Sequence, residues 1–478
     1  MLYIIGGPAM NKLKLVLGTF GSIFLLFSMV IIYYWRDVQY EPSALDLLSY
    51  FFILPVIFSI ILLAPYFIYK AYQAYRRDKK QQHQTLLEQP LNKVQTGKGQ
   101  EVKEIQWFNL NIFSSSACHA WGENETIIDG LKNFKSPELD DRLENNYGLA
   151  VLSYRIQKLD YIVELQDDDS NEEDEAARLV RIKILIQQQL EQQAETLMQV
   201  AEHLKHSALF YDHELAYQYR IHPEWNNTDT PNNDGDQEIL IEQVPRLNRL
   251  NIHILLSDNV LEVWDEYLSQ EMLLDFMQSL GMISQQIHLQ HHYLAQQNAY
   301  ADWLKLLDQI SQQNDEFSLI INVDSEIDQT FLDEKMWLMD DYLSAEFASS
   351  WCVAAKGVKI NNLEAIKVLK VAGNVDDLLT CLNQIMPNHA DQTEQEQPFV
   401  LILDDATDIK NIKKNNQRFV PALIEPHHFL YTKPILGHTQ QLAKIFGFML
   451  GMHLPEEMTS MIYSTDQALT HAFLIDVN

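Results

Sequence analysis

Two long apolar runs without a charged residue occupy much of the first seventy positions of the chain. They extend over Leu15–Trp35 and Leu47–Tyr69. Each is about as long as the roughly 20 residues that a helix needs to cross a bilayer. The first run is too long for the apolar region of a signal peptide and lacks a small-residue cleavage site. The pattern therefore predicts a transmembrane helical hairpin over residues 15–70, after an N-terminal segment of residues 1–14.

Basic residues predict which side of the membrane the rest of the chain faces. Five Lys or Arg residues lie in KAYQAYRRDKK, directly after the second run, whereas the connector RDVQYEPSALD holds one Arg and three acidic residues. The positive-inside rule then puts both ends of the chain in the cytoplasm. A Gln-rich stretch follows, which is typical of a flexible linker. We expect a linker over residues 71–102 and a cytoplasmic body over residues 103–478, held at a bacterial inner membrane.

The body alternates short apolar runs with longer helical patterns, which predicts an α/β fold with a largely buried mixed sheet. A division into subdomains 103–245 and 246–478 is an alternative to one body. No internal repeat is visible. The predicted strands are EIQWFNLNIFSSSACHAW, LNIHILLSD, EFSLIINVDS, SSWCVAAKGVKI, QPFVLILDDAT and HAFLIDV. The predicted helices are EDEAARLVRIKILIQQQLEQQAETLMQVAEHL as one long helix, VLEVWDEYLSQEMLLDFMQSLG ending at Gly281, and YADWLKLLDQI. The polar stretches DDDSNEED and HPEWNNTDTPNNDGDQE are predicted to be mobile insertions.

Charge is distributed unevenly along the chain. The formal net charge is −31, yet the first hundred residues hold more Lys and Arg than Asp and Glu. The body is therefore strongly acidic and repels a phosphate backbone, which argues against nucleic acid as a partner. Three cysteines, Cys118, Cys352 and Cys381, lie far apart without a CxxC pair. This spacing favours neither a disulfide framework nor a zinc site, and we expect buried, reduced thiols.

Common catalytic motifs are absent from the sequence. It contains no GxGxxG, GxxxxGK[ST], GxSxG or HExxH. His288, His291 and His292 in HLQHHYL lie at helical spacing, but no carboxylate or cysteine stands close enough in sequence to complete a metal site. A solvated helix face is the expected structure there. We predict no metal and no cofactor.

A second histidine-containing stretch, EPHH, precedes the last candidate by a few residues. It contains Glu425, His427 and His428 around the turn-favouring Pro426. A loop accounts for the pattern. A catalytic histidine in it would need a second group from elsewhere in the chain.

The stretch KPILGHTQQLAK places Lys433 and His438 at close spacing before a helical pattern. Gly437 allows close backbone approach, and Thr439 can cap the helix that follows. The helix is predicted to bury one stripe of side chains. That stripe consists of Leu442, Ala443, Phe446 and Leu450.

This stretch resembles the K-x-x-x-G-H element of β-ketoacyl synthases and of the wider thiolase-like fold, and AWGENETIIDGLKNFKSP and AEFASSWCVAAKG are similar to two further parts of it. The resemblance implies a thiolase-like mixed-sheet body, in which Lys433 and His438 fall on active-site positions beside a nucleophilic cysteine. Such synthases carry that cysteine at the tip of a buried helix midway along the chain. No cysteine lies between Cys118 and Cys352. The resemblance therefore predicts a pseudoenzyme in which Lys433 and His438 are vestigial.

The apolar runs, together with the region from Trp107 to Ile156, resemble type VI secretion lipase-adaptor proteins and related accessory factors. That resemblance implies a non-enzymatic adaptor or assembly factor, anchored in the inner membrane and bound to a secretion effector or an apparatus component. The alternative is a membrane-bound acyl-transfer enzyme that uses Lys433 and His438 with a nucleophile the sequence does not reveal. The oligomeric state is left open.

Overall fold

The computed structural model describes most of the region beyond residue 103. The described residues are 104–169, 176–221, 243–295, 297–339, 341–385, 392–438, 442–455 and 458–477, with positions 29, 33 and 36. The chain divides into two compact units, Met1–Glu101 and Val102–Asn478. Apart from the helical Met29 and Tyr33, the two apolar runs lie outside the described residues, as do most of DDDSNEED and all of the second polar insertion. Within the part that is described, no helix combines the length and the apolar character needed to cross a membrane.

The second unit is built on one mixed β-sheet. In chain order its strands are β1 Gln106–His119, β2 Gly122–Glu123, β3 Glu138–Glu144, β4 Ala150–Tyr154, β5 Arg249–Ser257, β6 Ile287–Leu294, β7 Glu316–Ser325, β8 Ser344–Ala355, β9 Lys367–Gly373, β10 Val400–Ile402, β11 Phe429–Tyr431, β12 Ser460–Tyr463 and β13 His471–Asp476. Their order across the sheet is β11-β10-β12-β13-β9-β1-β8-β7-β5-β6, with β2 paired to β1, and β3 joined through β4 to β8. The α/β class predicted from the sequence is confirmed.

Helices cover both faces of this sheet. They are α1 Glu125–Lys132, α2 Gln157–Asp169, α3 Ala177–Gln192, α4 Ala194–Tyr211, α5 His213–Ile221, α6 Glu266–Ser279, α7 Ala299–Ser311, α8 Gln329–Met336, α9 Leu378–Ile385, α10 Ile409–Phe419 and α11 Ala443–Met449. Alternation along β5 separates the two apolar layers, because Leu255 packs with α7 and α11 whereas Ile252 and Ile254 pack with α3 and α4.

The sheet consists of two halves with the same topology. The first half is β1 with β5 to β8, and the second is β9 to β13. In each half the first strand pairs antiparallel with the fifth, the fifth antiparallel with the fourth, the fourth parallel with the second, and the second parallel with the third. The halves join where β1 and β9 pair antiparallel, with Leu110 opposite Leu369. The boundary between these topological halves therefore falls after Ala355.

Two helices occupy equivalent positions in the two halves. Helix α7 connects the third and fourth strands of the first half, and α11 connects those of the second half. They pack against each other, since the ring of Phe448 lies 5.7 Å from that of Trp303 and 6.3 Å from that of Tyr300, measured between centroids. Helix α11 therefore lies in the interior of the body, whereas α7 buries the face that carries Tyr300 and Trp303 and exposes Asp302, Lys305 and Gln309.

Two local predictions were wrong. HLQHHYL forms strand β6, not a helix face, because it pairs in parallel with β5 from Leu250–Ile287 to Ser257–Leu294. The long helix is broken at Gln193 into α3 and α4. The amide of Gln193 is buried and donates to Ser350 Oγ at 2.9 Å, so contact with the sheet fixes the break. The Gly281 helix end is confirmed, with a positive φ of 84°.

Candidate active site

The turn that follows β11 is fixed against the start of β8. It comprises a short 3₁₀ helix, Lys433–Leu436, and then Gly437 with φ +53°. A Cβ at Gly437 would lie 2.3 Å from the carbonyl oxygen of Leu343, so the predicted close backbone approach is confirmed. The N–H of His438 donates to that same oxygen at 2.9 Å. Glycine is required here by both conformation and space.

A second hydrogen bond in the same contact sets the tautomer of His438. The N–H of Leu343 donates to His438 Nδ1 at 2.7 Å, so Nδ1 is an acceptor. Burial lowers the pKa of His438; the charge of Asp341 opposes this effect and that of Lys433 adds to it. The ring is therefore neutral near pH 7 and carries its proton on Nε2. Half-buried His438 thus offers an N–H donor that the backbone of Leu343 holds in place.

Lys433 lies close enough to His438 to influence its titration. Burial lowers the pKa of Lys433, and the nearby acidic residues Asp405 and Glu326 act in the opposite direction. The structure thus brings together the two residues that the sequence singled out. An ammonium and an imidazole N–H are both donors that can stabilise an oxygen that gains negative charge.

Two residues that sequence reasoning missed support the histidine ring. Tyr342 stacks on His438 with ring centroids 5.3 Å apart and donates its hydroxyl hydrogen to Glu326 Oε1 at 2.8 Å. Burial raises the pKa of Glu326 to about 8, and the charge of Asp324 adds to this effect. Glu326 is therefore mostly protonated at neutral pH. The only signal for it in the sequence was an acidic residue directly after a strongly apolar strand.

Asp324 and Arg178 form a buried ion pair behind Glu326. Arg178 Nη2 donates to Asp324 Oδ1 at 2.8 Å and its Nε donates to the carbonyl of Ser325 at 2.6 Å. Burial raises the pKa of Asp324, and the charge of Arg178 opposes the rise. The pair fixes the chain where β7 ends and Glu326 begins. The ion pair thus places fixed polar groups behind Glu326.

Buried groups on the other side anchor the 3₁₀ turn. His119 Nε2 lies 2.8 Å from the carbonyl oxygen of Ile435, and Tyr154 donates to the carbonyl of Pro434 at 3.1 Å. Because a carbonyl can only accept, His119 donates from Nε2. Burial lowers the pKa of His119 to about 4, which keeps this ring neutral. The backbone that carries Lys433 is therefore held from two directions.

The helix that follows the turn is buried on all sides. The predicted stripe of Leu442, Ala443, Phe446 and Leu450 is buried, and Phe448 and Met449 are buried as well. The sequence predicted one buried face for this helix, but its apolar side chains are buried on the other faces as well. Thr439, the predicted cap, lies outside the described residues.

The cysteines provide no thiolate for this site. Burial raises the pKa of Cys118 and of Cys352 to about 12, and that of Cys381 to about 11. All three are free and buried, as predicted. Helix α7, the counterpart of α11, begins at Ala299 without a cysteine. A covalent cysteine intermediate at the Lys433–His438 turn therefore has no support in the described residues.

The two other histidine groups have structural partners. His292 Nε2 lies 3.0 Å from His253 Nδ1, and His291 Nε2 lies 3.1 Å from Ser269 Oγ, while His288 is exposed on the same strand. No group of three or more His, Cys, Asp or Glu side chains that could hold a metal ion occurs among the described residues.

The EPHH stretch forms a 3₁₀ turn that its own residues stabilise. The ring of buried His428 accepts from the N–H of Glu425 at 3.0 Å through Nδ1, and its Nε2 lies 3.1 Å from the carbonyl oxygen of Gln395. His427 lies 3.6 Å from a carboxylate oxygen of Glu425 at the surface. The loop expected from Pro426 accounts for these contacts.

The sequence matches no protein-family model and no curated protein. The structure is similar to a ketosynthase–chain length factor of PfaC, at 10% identity over 82% of this chain and 45% of that one, with a TM-score of 0.36. It is similar to the ketosynthase from module 6 of the bacillaene synthase of Bacillus subtilis 168, at 7% identity over 77% and 72%, with a TM-score of 0.37. It is also similar to the type II polyketide ketosynthase of AntDE:AntF, at 12% identity over 78% and 100%, with a TM-score of 0.38.

The chain spans less than half of the PfaC protein, and each of these TM-scores is below 0.5. The similarities therefore carry no argument about substrate, partner or mechanism. The neighbours are ketosynthases, of the thiolase-like class to which the sequence stretches were similar. The similarity to these ketosynthases contradicts the prediction that the protein is not an enzyme, and that prediction is wrong. Neither the structure nor the comparisons support the type VI secretion assignment.

Proposed function

We propose that the protein is an acyl-transfer enzyme with a divergent thiolase-like body, in which the Lys433–His438 turn binds the carbonyl oxygen of an acyl donor. The observation that carries the proposal is the hydrogen bond from Leu343 N–H to His438 Nδ1 at 2.7 Å, which leaves the ring proton on Nε2. An N–H donor fixed in advance by the backbone stabilises developing negative charge without reorganisation. The acyl donor we expect is a thioester or an ester.

The chemistry follows from the charges of the turn. When a nucleophile attacks the acyl carbonyl carbon, the carbonyl oxygen becomes an oxyanion. His438 Nε2–H and the Lys433 ammonium stabilise that oxygen, and both interactions strengthen as the charge develops. The leaving thiolate or alkoxide departs when the tetrahedral intermediate collapses, and it takes up, through solvent, the proton that the acceptor loses. Tyr342 and the protonated Glu326 hold the imidazole ring in its plane.

The attacking group in this proposal comes from the acyl acceptor and not from a cysteine. Buried thiols with pKa values of about 11 to 12 hold almost no thiolate at neutral pH. Direct transfer to an acceptor hydroxyl or amine, or to water, requires no acyl-enzyme. We further propose that the two N-terminal apolar runs keep this activity at a membrane.

Thioester turnover by the full-length protein in detergent tests the proposal. Acetyl-, butyryl- and palmitoyl-coenzyme A are supplied with hydroxylamine as the acceptor, and released thiol is measured by its reaction with a chromogenic disulfide. We expect Lys433→Met to lower kcat/KM by about 100-fold, as loss of one oxyanion donor does. Lys410→Met is the matched control, because Lys410 is exposed on α10. Absence of thiol release at every chain length would refute the proposed activity.

A further inference from the structure

A large cleft lies away from the Lys433–His438 turn. Its volume is about 1320 Å³, and none of the residues of that turn lines it. It opens beside β1, beyond the point where that strand ceases to pair with β9 at Ile112 and Lys367. Its walls come from β1, from α1, from the segment before β9 and from the turn after α11. Its apolar lining includes Phe113, Ile128, Leu363 and Met452.

Ser115 and His453 face each other in this cleft. Ser115 Oγ lies 3.2 Å from His453 Nε2, and both residues line the cavity. Ser115 follows a shift in the pairing of β1 with β8 between Ile112 and Ser114. Such a bulge turns a side chain out of regular alternation and is common beside active sites. His453 ends the 3₁₀ turn that follows α11 and is 8% exposed.

Burial and a nearby positive charge keep His453 neutral. Burial lowers the pKa of His453 to about 4; the charge of Glu125 opposes the change, and that of Lys367 adds to it. The ring is therefore neutral at pH 7, and in the tautomer that is protonated on Nδ1 its Nε2 accepts the hydroxyl hydrogen of Ser115. Lys367 is buried and lines the same cleft. Its positive charge lies close enough to affect the pKa of His453. It can therefore also stabilise negative charge on the carbonyl oxygen of an ester that Ser115 attacks.

We propose that Ser115 is the nucleophile and His453 the base of a carboxylic-ester hydrolase site in this cleft. Ser115 Oγ attacks the carbonyl carbon while its hydroxyl proton passes to His453 Nε2. The bond from the carbonyl carbon to the leaving oxygen breaks, and His453 returns the proton to the leaving alkoxide. Water then attacks the seryl ester with the same base, and the carboxylic acid leaves as Ser115 regains its proton.

The substrate class follows from the walls of the cleft. Phe113, Ile128 and Leu363 provide an apolar surface for the acyl chain, while charged side chains of both signs lie at the rim. An uncharged ester with a short or medium acyl chain fits this lining. The site shares no residue with the proposed acyl-transfer site, so it stands or fails independently of that proposal. A motif search could not identify Ser115, because this residue lies within a strand and not in a GxSxG turn.

The test uses a fluorophosphonate probe on the full-length protein in detergent, followed by fragment-ion mapping of the labelled residue. The probe forms a bond from Ser115 Oγ to phosphorus, and fluoride leaves. We expect the label on Ser115, at least tenfold slower labelling of His453→Gln, and loss of that label in Ser115→Ala. Ser114→Ala is the matched control, since Ser114 bonds to Gln193 instead and should label at the normal rate.

Two results would overturn the site. One is the absence of label on Ser115 in the unsubstituted protein at a probe concentration that labels a known serine esterase. The other is an unchanged labelling rate in His453→Gln. Mapping on the unsubstituted protein needs no variant, so a Ser115→Ala protein that fails to fold leaves the decision intact.

Discussion

At the residue scale, Gly437 decides whether the candidate site exists. Its φ is +53°, and a methyl group there would meet the Leu343 carbonyl oxygen at 2.3 Å. Left-handed backbone costs a non-glycine residue roughly 1–2 kcal/mol, and the contact with Leu343 adds to that cost. We expect Gly437→Ala to lower the free energy of unfolding by at least that amount in urea titration. It should also lower thioester turnover, because the His438 ring loses its partner.

The control for this prediction is Gly357→Ala. Gly357 is exposed, and the nearest atom to an added Cβ would be Asn314 Oδ1 at 3.9 Å. Surface substitutions of this kind change stability by about 0.5 kcal/mol or less. Equal stability losses in the two variants would show that the turn is not held as the structure describes.

The protonation of Glu326 predicts a pH dependence of stability. Its folded pKa of about 8 lies above the ordinary value of 4.5, so the folded chain binds the proton more tightly than the unfolded chain. This contribution is complete below about pH 4.5 and is lost as the pH rises through 8. Relative to Glu326→Gln, which keeps an acceptor for Tyr342, the unsubstituted protein should lose stability as the pH rises from 5 to 8, on the order of 1 kcal/mol per pH unit.

Urea unfolding of both proteins at pH 5, 6, 7 and 8 measures this difference. Glu334→Gln provides the comparison with an exposed carboxylate on α8. A stability difference between Glu326→Gln and the unsubstituted protein that stays constant across the four pH values would contradict a raised pKa for Glu326.

Sequence reasoning at this scale found one side of the site only. Lys433 and His438 share a short motif, so resemblance could identify them. Tyr342 and Glu326 come from a distant part of the chain, and only the pairing of the turn with Leu343 brings them beside His438. A contact made by backbone hydrogen bonds across the fold leaves no pattern of residue types. The sequence therefore singled out Lys433 and His438 but not the residues that surround them.

At the element scale, one buried ion pair fastens α3 to β8. Arg181 bonds to Glu346 through Nε at 2.8 Å and Nη2 at 2.6 Å, and Glu346 is fully buried. Removing one member of a buried pair leaves a charge without compensation and costs about 3–5 kcal/mol. We expect Arg181→Met to destabilise the body by that amount in urea unfolding.

Arg142→Met is the matched comparison. Arg142 pairs with Glu164 at 3.0 Å, but both side chains are more than half exposed. Such a pair contributes less than about 1 kcal/mol. Similar losses in the two variants would contradict the burial of the Arg181–Glu346 pair.

Strands and helices could be predicted from the sequence where their buried residues form a recognisable apolar pattern. Strands β5, β7 and β13 are nearly continuous apolar runs, and the sequence located each of them. Strand β6 alternates polar and apolar side chains at the edge of the sheet, and its histidines happen also to fit a helical period. Pairing with β5 decided its structure. The break at Gln193 likewise depends on Ser350, which local propensity cannot anticipate.

At the scale of the whole molecule, the candidate site lies between the two topological halves. His438 follows a strand of the second half, and Leu343 precedes a strand of the first half. The shared topology of the halves could not be seen in the sequence, in which no internal repeat is visible. The α/β class could be predicted from the alternation of helices and strands along the sequence. The candidate site could not, because it depends on contacts between the two halves in three dimensions.

The central claim is that the His438 N–H stabilises the oxyanion of an acyl donor, and one kinetic comparison tests it most directly. We measure kcat/KM for butyryl-coenzyme A with His438→Leu, which removes the N–H donor, and with His427→Leu, whose ring lies at the surface. We expect a loss of about 100-fold for His438→Leu, mostly in kcat, and a change of less than threefold for His427→Leu. Equal turnover by the two variants, with both proteins folded, would contradict the central claim.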